Sequence, residues 1–264
     1  MTLAPAHLRT DMVRMIAGGN GFHIAPNLST IEILYTLYFR VMNVDPDDPL
    51  NPDRDRFLLS KGHCAAAYYT VKAARGFFPA ESLAEYNKPG SPFPSIVDSN
   101  SASGLEMSAG SIGRGPSVGI GLALVAKREG LPFHTYVLIG DGECQEGSIW
   151  EAAMLAPGLG LDNLTVIVDN NGLQGSSTVA EVMDMTNLAE RFAVFGWEVH
   201  EVDGHDVDDL EAALRKSQQG PKVVIANTIK GKGLPMMENN VDWHYRSMTY
   251  GELVQAMRAM RSAK

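Results

Sequence analysis

The chain has only two cysteines in 264 residues, Cys64 and Cys144. Two thiols cannot build a disulfide framework or a zinc site made of cysteines. Long apolar runs are missing as well, and none approaches the ~20 residues that a membrane-spanning helix needs. The opening segment, MTLAPAHLRTDMVRM, lacks the basic end and apolar stretch of a secretion signal, so a cytoplasmic protein is expected. Basic residues are in the minority: 22 Lys and Arg against 31 Asp and Glu give a formal charge of -9. That balance argues against nucleic acid as the main partner, because a phosphate backbone calls for a basic face. It leaves room for a local anion site built from backbone N–H groups.

What is present is ordinary for a globular protein: 45% hydrophobic and 20% charged residues. Glycine is abundant, with 26 residues, which fits many tight turns and close backbone approaches. No internal repeat or low-complexity tail divides the chain, and residues 1–264 read as one domain.

The first forty residues read as helix. HLRTDMVRMIA is apolar at helical spacing, and GGNG breaks it. Ser29 and Glu32 stand at the spacing of a capping box before ILYTLYFRVM. RFLLS (56–60) reads as a buried strand and KGHCAAAYYTVKAARG as a helix. Residues 87–117 form a long Gly/Pro/Ser-rich loop, and a loop of that length in a compact domain is usually functional or mobile. After VGIGLALVAKREG, strands and helices alternate: HTYVLIG (134–140), LTVIVDNN (164–171), WEVHEVDG and PKVVIANTI (221–229) are strands, with a helix after each of the first three. Near-continuous Val/Ile/Leu marks buried parallel strands. The expected fold is therefore α/β, a doubly wound, mostly parallel sheet with helices on both faces.

Open sheets of this kind bind ligands beyond the carboxyl ends of their strands. Two such ends carry oxygen ligands: Gly140-Asp141-Gly142 and Asn170-Asn171-Gly172. The 30 residues from Asp141 to Asn171 suit one helix and one strand, which would bring the two ends side by side. The Asp141 carboxylate, the Asn171 amide oxygen and a nearby turn carbonyl, that of Leu173, offer three hard ligands. Mg²⁺ takes six oxygens in octahedral geometry and shares them with phosphates and water. Gly140 and Gly142 let the backbone approach a phosphate, and the following helix is expected to aim its N-terminus there.

With these residues in view, the chain resembles the transketolases. Gly140-Asp141-Gly142 followed by Asn170-Asn171 matches the thiamine diphosphate fingerprint of that family, and the text between them is similar throughout. So are SKGHCAAA (60–67), EMSAGSIGRGPSVGIGLALVAK (106–127), FGWEVHEVDGHD (195–206) and TIKGKGLPMMENNVDWH (228–244). The similarity is most specific to the amino-terminal half of transketolases that are split into two chains.

The resemblance implies a thiamine diphosphate-binding domain of the diphosphate-holding (PP) type. It implies Mg²⁺, or Ca²⁺ or Mn²⁺, held by Asp141, Asn171 and the Leu173 carbonyl. Gly140, Gly142, Asn171, His63 and His244 would meet the cofactor's diphosphate end, and Gly110 and Ile112 would pack its thiamine. Glu146 corresponds to a buried acid near the partner domain. His23, His63 and His244 are the candidate catalytic groups, since histidine suits proton transfer near neutrality. His134, His200 and His205 are expected to be structural, and His7 an exposed residue.

Three departures from the family stand out. His23 lies in GlyPheHisIleAla rather than Gly-His-Pro-Gly. Arg114 stands where glutamine is common. Ile96-Val97 replaces a His-Pro pair whose histidine meets the substrate. Losing that polar contact points to an altered substrate choice, unless Asn100 or Ser95 takes its place.

The resemblance further implies a second domain that binds the aminopyrimidine ring. It is expected on a partner chain, in an α2β2 heterotetramer whose separated chains are inactive. The implied reaction is transfer of a two-carbon ketol unit from a ketose to an aldehyde. Two other readings remain at this point: the α-type subunit of a 2-oxo acid dehydrogenase, and a non-catalytic subunit that kept the fold.

Overall fold

The computed structural model describes residues 4–19, 21–102 and 104–262. The amino-terminal layer contains α1 (Pro5–Gly18), α2 (Ile24–Leu28) and α3 (Ile31–Thr36). A π-helical turn over Leu37–Val41 extends α3. Strand β1 (Arg56–Leu59) leads into α4 (Ala65–Arg75). After the long loop come α5 (Gly115–Glu129), β2 (Thr135–Gly140), α6 (Gly147–Gly158) and β3 (Leu164–Asn170). Then follow α7 (Val179–Val182), α8 (Leu188–Val194), β4 (Glu198–Asp203), α9 (Val207–Arg215), β5 (Lys222–Asn227) and α10 (Tyr250–Ser262).

The five strands form one sheet in the order β1-β2-β3-β5-β4, and every pairing is parallel. Side chains along a strand point alternately to the two faces. Phe57, Leu59, Tyr136, Leu138 and Ile167 accordingly pack on one side, beneath α1, α3, α4 and α9. Leu58, Val137, Ile139, Val166 and Val168 pack on the other, beneath α5, α6 and α8. The doubly wound sheet expected from the alternating pattern is what forms. No helix of the described residues is long and apolar enough to cross a membrane.

Two local expectations fail. Ser29 caps nothing: its hydroxyl lies 3.0 Å from the Pro26 carbonyl and 2.7 Å from Asp169 Oδ2. Glu32 is buried and turned to Arg9 and His205 instead of the backbone. A tertiary ion pair outcompetes the local cap here. His7 is half-buried rather than exposed.

Candidate active site

Register Gly140↔Asp169 between β2 and β3 sets the two chain reversals side by side. Beyond them lies a cavity of about 320 Å³. Its lining includes Asp141, Gly142, Asn171 and Leu173 from those ends, and Lys61, His63, Lys230 and His244 from neighbouring loops. The oxygen ligands expected from the sequence therefore share one space.

Asp141 accepts hydrogen bonds from the Gly142 amide at 2.7 Å and from the Gly172 amide. A carboxylate has about four acceptor positions, so two remain free. Burial, reinforced by the charge of Asp169, pushes its pKa up to about 6, against the pull of Lys61 and the two amides. A cation would reverse that shift. Asn171 Oδ1 accepts from the Leu173 amide at 3.1 Å. One carboxylate, one amide and one carbonyl make an all-oxygen donor set that suits a hard divalent ion. A methyl group on Gly142 would meet Gln174 Oε1 at 3.0 Å and Cβ at 3.1 Å, so any larger residue there would have to push the Gln174 side chain aside.

Beneath these groups is a buried charge network that sequence reasoning missed. The Lys61 ammonium pairs with Asp169, which also accepts from Ser29 and Thr228. Burial disfavours the Lys61 charge, but Asp169 outweighs it and holds the ammonium above its ordinary value. Glu143 accepts from Gly113 N at 2.7 Å, from Gly140 N at 3.1 Å and from the Ser60 hydroxyl. Burial raises its carboxyl above the usual range. The signal for Lys61 was present in Lys-Gly-His; Asp169 was hidden inside an apolar strand.

The rim is aromatic and neutral. The rings of His23, His63 and His244 form a triangle, with centroids 5.2, 5.4 and 5.6 Å apart. Asn27 fixes two of its corners, donating to the His23 carbonyl at 2.7 Å and to the His63 carbonyl at 2.9 Å. His23 itself sits in the left-handed region, at φ 60°. Burial, then the cations Lys230 and Lys61, lower His23 to about 4. Burial and Lys230 lower His244 to about 3. Burial and Lys61 hold His63 well below its ordinary value. Lys230 Nζ lies 2.7 Å from His244 Nδ1, so the lysine donates and the ring proton sits on Nε2. His63 and His244 line the cavity as neutral donors and acceptors, and His23 packs against both.

The family model described as "Transketolase, thiamine diphosphate binding domain" matches residues 4–261. The chain belongs to this family. A 6-deoxy-6-sulfo-D-fructose transketolase subunit of a Clostridium species is 40% identical, over 86% of this chain and 84% of that one. An apulose-4-phosphate transketolase subunit of Phocaeicola vulgatus is 39% identical, over 95% and 90%. Among solved structures, a Pichia stipitis transketolase in complex with fructose 6-phosphate superposes with a TM-score of 0.90 at 26% identity; the match covers 98% of this chain and 40% of that one. A Campylobacter jejuni transketolase gives 0.89 at 27%, covering 97% and 42%. The chain thus spans about two fifths of these transketolases' length.

The remaining expected residues take the following places. Glu146 lines the cavity and is exposed on this single chain, while Glu143, three residues earlier, is buried within it. Helix α6 does not start at the glycines, because a 3-10 turn over Gly142–Gln145 intervenes and carries Glu143 inward. Ile112 lines the cavity, whereas Gly110 stands on the loop outside it. Ile96 packs near the shoulder of the site: its Cγ2 would lie 3.4 Å from a Cβ on Gly62 and 3.8 Å from one on Gly110. Asn100 is bonded to Asp98 in an exposed turn, and Arg114 folds back onto the Ser108 and Ser111 carbonyls. His134 is packed on Tyr136 and bonded to Thr165 at 2.9 Å, as a structural residue should be.

Proposed function

We propose that this chain is the diphosphate-binding subunit of a thiamine diphosphate-dependent transketolase, acting with a partner subunit. The convergence of Asp141, Asn171 and Leu173 on one cavity, within a chain of this family, carries the reading. When bound, thiamine diphosphate supplies the electron sink for carbon–carbon bond cleavage. This chain's residues do the rest. Asp141, Asn171 and the Leu173 carbonyl hold Mg²⁺, or Ca²⁺ or Mn²⁺ in its place. Gly140, Gly142, His63 and His244 receive the diphosphate, with the His244 Nε2 proton as a donor. His63, His23 and His244 bind substrate hydroxyls and move protons among them. Gly110 and Ile112 flank the thiamine.

The reaction is transfer of a two-carbon ketol unit from a ketose donor to an aldehyde acceptor. The relatives are named for a sulfo sugar and a sugar phosphate. An apolar Ile96 beside the site fits a donor of altered shape in such a specialised pathway.

The pyrimidine-binding domain, with its activating glutamate, is supplied by the partner, and residues 1–264 form one PP-type domain. The names of the relatives, each the subunit of one transketolase, support a two-chain enzyme. So does the surface: Val118 and Val125 on α5 and Met154 and Leu155 on α6 are exposed on two helices that pack together. Large apolar side chains exposed on neighbouring helices fit a surface that another chain covers. Glu146, at the cavity mouth, faces that partner. The assembly is an α2β2 heterotetramer in the cytoplasm, inactive when its chains are separated.

The test is reconstitution with the co-purified or co-encoded partner. Ketose consumption that requires both chains, thiamine diphosphate and Mg²⁺ is expected. Pyruvate decarboxylation instead, or ketol transfer by this chain alone, would overturn the reading.

A further inference from the structure

Outside the cavity, one polar cluster is unusually complete. His205, between β4 and α9, keeps 10% of its side-chain surface exposed, and Glu32 on α3 keeps 6%. Glu32 is paired with Arg9 of α1 on one oxygen and meets His205 Nδ1 at 3.0 Å on the other. The opposite ring nitrogen, Nε2, accepts from the Ile229 amide at 2.8 Å. An amide N–H can only donate, so Nε2 must carry its lone pair and the single ring proton sits on Nδ1, facing the carboxylate. Helix α1, helix α3 and the β4–α9 turn thus converge on one backbone amide.

That amide opens a loop that enters the site. Residue 228 is pinned by the Thr228 hydroxyl to Asp169 and by its own N–H to the Asn170 carbonyl at 3.1 Å. Gly231 donates to the Ala25 carbonyl at 3.1 Å, and only glycine fits there, since its φ is +84° and the Met237 carbonyl would lie 2.3 Å from an added Cβ. Between these pins, Lys230 reaches the Leu173 and Gln174 carbonyls, each at 3.1 Å, and His244 Nδ1 at 2.7 Å.

We propose that His205 is a positioning residue for the cofactor site: through the Ile229 amide it fixes Lys230, which in turn aims the Leu173 carbonyl and sets the His244 tautomer. The cofactor part of this inference rests on the function proposed above; the loop-fixing part does not. Outer groups that orient ligands are commonly worth 10–100-fold in metal affinity.

The test compares two replacements of similar size. His205→Gln keeps an acceptor at the reach of Nε2 and gives up Glu32. His205→Asn keeps a donor for Glu32 and gives up Ile229. In the full chain, hydrogen exchange at the Ile229 amide should speed at least about 10-fold in the Asn variant and stay within about 2-fold in the Gln variant. In the complex with the partner, Mg²⁺-dependent thiamine diphosphate affinity should fall about 10-fold in the Asn variant and be largely rescued in the Gln variant. A merely structural histidine would lower the melting temperature in both variants and move neither readout selectively. Unchanged Ile229 exchange in the Asn variant, or equal affinity losses in the two, would overturn the proposal. A wild-type complex that binds no thiamine diphosphate would instead sink the functional reading, while the exchange measurement would still judge the loop.

Discussion

The floor and the rim of the cavity are built on different principles. The floor is charged, buried and closed: Lys61, Asp169 and Glu143 have their partners inside the fold. The rim is neutral: three imidazoles with depressed pKa values stand in a triangle, and Tyr245, beside His23, is 63% exposed. The difference separates two tasks. Groups that shape the backbone must be saturated before any ligand arrives, while groups that meet a ligand must keep a donor or acceptor free.

The largest effect is expected where the floor is broken. Asp169→Ala strands the Lys61 ammonium in the interior, and unfolding in urea should show a loss of about 3–5 kcal/mol. A loss below about 1 kcal/mol would mean that the floor does not hold the fold together. Next comes the border between the two regions. Asp141→Ala removes a proposed metal ligand and no core volume, so Mg²⁺-dependent thiamine diphosphate binding should drop at least about 100-fold while circular dichroism stays that of the folded chain. At the rim, His244→Ala should weaken cofactor binding about 10-fold and shift stability by less than about 1 kcal/mol.

Acidity sharpens the same contrast. His23 titrates at about 4 and His244 at about 3, against 6.5 in the unfolded chain. The folded state therefore binds fewer protons in that window. The stability gained by keeping these rings neutral is complete above pH 6.5 and is lost as the pH falls toward 4 and then 3. Asp141, at about 6, gives up its proton when a cation binds, so Mg²⁺-dependent cofactor binding near pH 6 should release protons, which titration calorimetry in buffers of different ionisation heat would detect. The smallest effect is expected at Ile96→His. It should leave cofactor affinity within about 2-fold and shift the ranking of ketose donors; an unchanged ranking would remove Ile96 from the specificity argument.

Much of this was legible in the chain. β2, β3 and β5 announced themselves by near-continuous Val/Ile/Leu, and Asp141 and Asn171 by standing at the ends of two of them. The histidine triangle was legible only through family resemblance, because His23, His63 and His244 lie on three separate loops. Asn27, which clamps two of them, carries no local pattern at all. Asp169 reads as an interruption in a β-strand, and only the tertiary approach of Lys61 gives it meaning. Ser29 and Glu32 misled for the same reason, since a capping pattern is a local preference that distant partners override. Glu143 carries no signal of its own in the sequence, since only the 3-10 turn over Gly142–Gln145 carries it inward.

The oily seam on α5 and α6 has a bearing on how the protein must be made. A cell that produced this chain in excess of whatever covers Val125, Met154 and Leu155 would accumulate a sticky orphan, prone to clumping and to proteolysis. On the two-chain reading proposed above, matched production of both chains would keep these side chains covered.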